Sequence, residues 1–276
     1  MSVLGVPGAL LYYETRGSGT LMVMVPGANG EATAFEGVAE HLAEHYTVVT
    51  YDRRGFSRSR PEGPQDYDHR LETDADDVRR LIGHLTDEPA ILFGASSGGI
   101  VVLEVLIRHT SVVRTLLPFE PPAVRQLPDG QTWLEFFAEV YDLYRRSGMK
   151  PALERFSQAF VESDRQILAA RARAGGDGQY AAANAVYWFE HELRQYPAVE
   201  LDLDALRTHA HRIVLLGGRE SRGRPAYDVN VELGRKLGRD VTELPGGHLG
   251  CLARPAEFAR ELVRALEAPS WRSRNR

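Results

Sequence analysis

Cysteine is almost missing from this chain. One residue in 276, Cys251, is a cysteine, which excludes an internal disulfide framework and a cysteine-built metal cluster. Long apolar runs are missing as well, since none approaches the roughly 20 residues needed to span a bilayer. The opening stretch MSVLGVPG has neither the charged n-region nor the apolar h-region of a secretory leader, so the expected compartment is the cytoplasm. Positive charge is not in excess. Lys and Arg number 33 against 38 Asp and Glu, a net charge of −5, which gives no reason to expect a nucleic-acid partner. No internal repeat is evident. What the chain does have is 43% hydrophobic residues, enough for a sizeable core, in a length that suits one large domain or a domain with an inserted lobe.

Those apolar residues fall in a definite order. Ser2–Glu14 reads as two short strands around Pro7-Gly8, a turn pair. LMVMV at 21–25 is a continuous apolar run closed by Pro26-Gly27, as suits a strand buried on both faces. Phe35, Val38, Ala39 and Leu42 give Glu31–His45 a helical stripe. YTVVTY at 46–51 is a further strand, and DRRGFSRSR at 52–60 is a polar loop. Leu71 to Leu85 carries the next helical stripe. AILF at 90–93 is a strand, Ile100–Ile107 a strongly apolar helix, and VVRTLLPF at 112–119 another strand. Strands alternating with helices of this length predict a mainly parallel sheet covered on both faces.

From Pro121 to Asp204 the alternation stops. Helical, aromatic-rich segments replace it: Trp133–Ser147, Pro151–Ser163, Asp164–Ala174 and Gln179–Tyr196, interrupted at Gly175-Gly176-Asp177-Gly178. Strands resume at HRIVLL (211–216) and DVTEL (240–244), with a helix at Tyr227–Leu237 between them and another at Pro255–Leu266. The final SWRSRNR reads as a frayed basic tail. The expectation is an α/β core of residues 1–120 and 205–276 with residues 121–204 inserted as an all-helical lid.

Gly94-Ala95-Ser96-Ser97-Gly98 matches G-x-S-x-G between a strand and a helix, the context in which a sharp turn exposes a serine hydroxyl. A serine is a weak nucleophile unless a base takes its proton and N–H groups hold the oxyanion. His248, in the glycine loop PGGHL after the last strand, is the candidate base. Two carboxylates end strands and can orient it: Glu220, just past HRIVLL, and Glu120, at the end of VVRTLLPF. Glu220 is preferred, because its loop directly precedes the strand bearing His248, with Glu120 as the alternative acid. The oxyanion donors expected are the main-chain N–H groups of Ser97 and Ala28, with Asn29 beside the latter. Phe137, Trp188 and His191 are picked from the aromatic insert as substrate contacts. Cys251 reads as a small buried apolar residue.

The chain resembles the α/β-hydrolase superfamily over nearly its whole length. The residues carrying the resemblance are VMVPGANG at 23–30, YDRRGFSRS at 51–59, GASSGG at 94–99, LLGGRE at 215–220 and PGGH at 245–248, five motifs in the family's order. It implies an eight-stranded, doubly wound sheet with a helical lid after the sixth strand. Two departures stand out. Pro26-Gly27 replaces the His-Gly of many members, and the acid is a glutamate where aspartate is common; some members carry that acid one strand earlier, which keeps Glu120 in play.

The implied chemistry is acyl transfer to Ser96 on a small, largely apolar ester, lactone or thioester, with no metal or organic cofactor. Serine at 96 argues against the carboxylate-nucleophile epoxide hydrolases and haloalkane dehalogenases of this scaffold. A cofactor-free perhydrolase or a carbon–carbon bond hydrolase would use the same residues. A small-ligand receptor on the same scaffold is the non-enzymatic alternative. The only partner expected is the small-molecule substrate, and the sequence leaves monomer and homodimer open.

Overall fold

A computed structural model describes residues 2–28, 30–173 and 178–267. The expected oxyanion residue Asn29, the glycine break at 175–177 and the basic tail at 270–276 lie outside the described residues.

The strands are β1 (Ser2–Val6), β2 (Ala9–Arg16), β3 (Leu21–Val25), β4 (Thr47–Tyr51), β5 (Arg60–Pro61), β6 (Ala90–Ala95), β7 (Val113–Phe119), β8 (Leu215–Gly218) and β9 (Val241–Leu244). They form one sheet in the order β1-β2-β4-β3-β6-β7-β8-β9, with the two-residue β5 pairing off the path onto β2. The first hairpin and its pairing to β4 are antiparallel. From β4 to β9 every neighbour is parallel. The expected eight-stranded sheet is therefore present, with β5 as an extra short edge pairing inside the stretch read as loop.

The helices are α1 (Glu36–Leu42), α2 (Arg70–Leu85), α3 (Ser97–Arg108), α4 (Gly130–Ser147), α5 (Met149–Ser157), α6 (Glu162–Arg173), α7 (Ala181–His191), α8 (Leu203–Thr208), α9 (Pro225–Leu237), α10 (Gly250–Ala253) and α11 (Pro255–Glu267). The sheet sorts them by alternation. In β3, Met22 and Met24 point to one face, where Phe35 and Val38 near α1 and Phe258 and Leu262 on α11 cover them. Val23 and Val25 point to the other, against Val78 of α2 and Ile100 of α3. A strand buried on both faces has no polar side to show, which is why LMVMV lacks a polar residue. Each such fully buried side chain stabilises the fold by about 1.5–3 kcal/mol.

Several boundaries moved. The helix expected at 31–45 opens as a 3-10 turn over Ala32–Phe35, its first N–H donated to Asp52 Oδ1 at 2.8 Å. The strand expected at 211–216 starts late, because Ala210–Arg212 forms a 3-10 turn, with Arg212 Nη1 donating to the carbonyls of Thr110 and Val113, each at 2.8 Å. Its pairing then runs on to Gly217 and Gly218. The helix expected at 151–163 ends at Ser157.

Between β7 and β8 the described residues contain helices and no strand. This helical segment is packed into the core of the sheet: Phe136, Phe137, Trp188, Phe189, Leu193 and Tyr196 share one buried cluster with Val23, Leu92 and Ile100.

Candidate active site

Ser96 stands alone between β6 and α3 with φ 54° and ψ −124°, a conformation rare for any residue with a side chain. The turn is held by Ser96 N–H donating to Phe119 O at 2.9 Å and Gly99 N–H donating to Ser96 O at 2.8 Å. Neighbouring backbones crowd it. A Cβ on Gly98 would fall 2.1 Å from Val25 O, and one on Gly27 would fall 2.9 Å from Ser96 Cβ. Only glycine allows β3, its following loop and the serine turn to approach this closely. Such a turn lifts the serine side chain clear of the strand and leaves the N–H groups of Ser97 and Gly98 without an acceptor inside the helix.

His248 follows β9 in the expected loop. Its Nδ1 lies 2.7 Å from Glu120 Oε2, and both side chains are almost wholly buried. An ionised carboxylate only accepts, so Nδ1 is the donor of this pair, and in the neutral imidazole Nε2 then carries the lone pair. The second oxygen, Glu120 Oε1, accepts from Gly218 N–H at 2.7 Å. Glu120 itself sits at φ 45°, and its main-chain N–H donates to Leu216 O at 3.2 Å. The positive φ turns the chain sharply at the end of β7. Burial pushes the imidazole pKa down, but the hydrogen bond and charge of Glu120, aided by Asp164, outweigh it, so the net direction is up from 6.5.

Of the two glutamates, the structure brings Glu120 and not the preferred Glu220 to His248. Glu220 lies in the half-exposed turn after β8 and points away from the imidazole. Its Oε2 accepts from Ser163 Oγ at 2.9 Å and its Oε1 from Arg254 Nη2 at 2.9 Å. Chain order could not separate the two glutamates. The separation came from the kink at Glu120, which aims that carboxylate across β8 towards the histidine loop.

Ser96, Ser97, Ala28, Glu120 and His248 line one cleft of about 650 Å³, its open mouth included. Phe137 and Trp188 line it too, as expected. His191 does not line this cleft. Its ring stacks on Tyr67, centroids 3.7 Å apart and planes within 7°, because α7 turns that side towards the loop before α2. Cys251 is buried.

Sequence reasoning missed the charged layer beneath the cleft. Arg53, in the loop after β4, donates to Asp74 Oδ2 and Glu192 Oε2, both at 2.7 Å, and to Gly27 O at 2.9 Å. Arg70 donates to Glu192 Oε1 at 2.7 Å and to Tyr187 Oη at 2.8 Å. Tyr196 Oη donates to Asp74 Oδ2 at 2.8 Å. Arg53 is fully buried; burial disfavours its charge, and Glu192 and Asp74 more than offset this. The layer ties the loop before Ala28 to the helical segment. Its only sequence signal was the paired arginines of DRRGF.

A sheet of this order, with a strained serine after β6, a histidine after β9 and a carboxylate after β7, defines an α/β-hydrolase. A family profile described as "Alpha/beta hydrolase family" matches residues 22–261, and the chain belongs to that family. It is 35% identical over 269 residues to "Uncharacterized hydrolase YraK" of Bacillus subtilis (strain 168), covering 96% of this chain and 95% of that protein. It is 26% identical to "Zearalenone hydrolase" of Bionectria ochroleuca, covering 96% and 97%. Among solved structures it is similar to a thermophilic esterase from Thermogutta terrifontis (TM-score 0.75, 18% identity, 97% of this chain and 98% of that one), a likeness of fold.

Proposed function

We propose that the protein is a serine hydrolase that cleaves a carboxylic ester-like bond (ester, lactone or thioester) of a small, largely apolar substrate through Ser96, His248 and Glu120. The observation that carries this reading is the 2.7 Å pairing of His248 Nδ1 with buried Glu120, in the cleft that Ser96 also lines. Zearalenone hydrolase, a relative whose name carries a substrate, supports a hydrolytic activity.

In this mechanism Ser96 Oγ attacks the carbonyl carbon while His248 Nε2 takes its proton. The N–H groups of Ala28 and Ser97 hold the oxyanion, each worth about 2.7–4 kcal/mol in the transition state. The C–O or C–S bond to the leaving group breaks as His248 returns the proton to it. Water then attacks the acyl-enzyme, His248 takes the water proton, and the free acid leaves as Ser96 regains its own. Glu120 holds the imidazole in the required tautomer and stabilises the imidazolium formed in each step. Residues 121–204 act as the lid over this cleft, with Phe137 and Trp188 as apolar walls that select the acyl or ring portion of the substrate.

A short-chain p-nitrophenyl ester tests the assignment. Wild-type protein releases nitrophenol, and Ser96→Ala lowers kcat by about 10⁶-fold. A fluorophosphonate labels wild-type protein on Ser96 and leaves the variant unlabelled. Equal rates in the two proteins, or an adduct mapped elsewhere, would refute the role of Ser96.

A further inference from the structure

Asp164 belongs to the first turn of α6, on the helical segment, yet its carboxylate serves the opposite side of the cleft. Oδ2 accepts from His248 N–H at 2.9 Å and Oδ1 from Leu249 N–H at 3.0 Å. The side chain is buried and lines the cleft. A Cβ on Gly247 would fall 2.4 Å from Oδ2, so glycine there lets the carboxylate reach the histidine backbone. The same short stretch touches the histidine loop once more directly and once through Glu220. The Phe160 ring lies 5.0 Å from the His248 ring, centroid to centroid. Ser163 Oγ donates to Glu220, whose main-chain N–H donates to Gly246 O at 2.9 Å.

Two glycines in a row precede His248. Glycine has the most conformational freedom to lose, so this loop holds one geometry only if something outside it does the holding. A carboxylate taking two consecutive N–H groups does so with charge-assisted bonds, stronger than neutral ones. We infer that Asp164 is a positioning residue for His248, clamping the histidine loop to the helical segment so that the base is aligned only while that segment is seated over the cleft. This rests on the reading of His248 as the catalytic base. It also gives Glu220 a place in the same clamp through Ser163 and Arg254. Any displacement of Asp164 from the histidine loop breaks both bonds, so the seating of the segment and the alignment of the base are coupled.

The charged groups facing the imidazole are Glu120 from the end of β7 and Asp164 from α6, and both raise its proton affinity. Removing the Asp164 charge therefore lowers it. Asp164→Asn and Asp164→Ala test the clamp with two readouts. With p-nitrophenyl acetate, kcat in Asp164→Ala falls about 10–100-fold, the scale of a misplaced catalytic group, while KM stays within about threefold. Asp164→Asn falls between, since its amide oxygen keeps one acceptor. The acid limb of kcat/KM moves to lower pH. The second readout is the His248 titration by NMR in histidine-labelled protein, which needs no turnover and moves in the same direction. If the wild type hydrolyses no ester, the hydrolase reading fails while this titration still reports on Asp164. Wild-type kcat together with an unmoved His248 titration in both variants, or an effect confined to KM, would overturn the clamp. Should Asp164→Ala not fold, the near-isosteric Asp164→Asn decides.

Discussion

At the scale of single residues, two unfavourable backbone conformations aim the two ends of the site. Ser96 and Glu120 both have positive φ, which costs about 1–3 kcal/mol for a residue with a side chain. At Ser96 it is offset by hydrogen bonds to Phe119 and Gly99. At Glu120 it is offset by the carboxylate's bonds to His248 and Gly218. The glutamates then diverge in consequence. Glu120→Gln leaves a neutral amide against Nδ1 and favours the wrong imidazole tautomer, so kcat falls by about 10³–10⁴-fold. Glu220→Gln loosens a half-exposed contact and costs less than about tenfold. The pH profile gives the same information with a definite sign. In the proposed mechanism the base works as neutral imidazole, and Glu120 raises its pKa above 6.5. Wild-type kcat/KM therefore reaches half its plateau above pH 6.5, and Glu120→Gln shifts that half-point downwards. Stopped assays across pH 5–9 measure both; a larger loss in Glu220→Gln would reverse the assignment.

At the scale of elements, the loop after β4 joins three parts of the fold. Arg53 binds the carbonyl of Gly27 in the loop before Ala28, Asp74 on α2, and Glu192 at the end of α7. Glu192 is shared with Arg70, so its two oxygens neutralise two guanidiniums that water cannot reach. Breaking a buried pair by removing one partner strands the other charge, at a cost of about 3–5 kcal/mol. Glu192→Gln should lose stability on that scale in urea unfolding, whereas replacement of an exposed partner such as Glu139, bound to Arg155 on the surface, should change it by less than about 1 kcal/mol. Little of this was readable beforehand. Arg53 and Glu192 are 139 positions apart, and an arginine in a polar loop has the same letter whether it is solvated or buried.

At the scale of the whole molecule, the helical segment is fastened by more than a hinge. Its aromatic side chains share the core cluster of the sheet, its charges are buried under Arg53 and Arg70, and Asp164 reaches the loop of His248. Core and segment therefore unfold together. Near-ultraviolet and far-ultraviolet dichroism should give coincident thermal transitions, and a separate early loss of the aromatic signal would show the segment melting on its own. No described helix is long and apolar enough to cross a membrane.

The sequence by itself determined the alternation of strands and helices, the serine turn and the histidine loop, because each is written in neighbouring residues: apolar runs, glycines that permit close approach, a serine at a strand's end. It narrowed the acid to two glutamates that each follow a strand. Tertiary structure decided which of the two reaches Nδ1, through the kink at Glu120 and the length of β8. It also decided what no local pattern encodes: that Arg53 lies buried beneath the cleft, that His191 turns to Tyr67, and that a carboxylate on the helical segment closes on the backbone of His248. Contacts between residues 84 to 139 positions apart follow from how the layers pack, and packing is a property of the assembled sheet and helices rather than of any stretch within them.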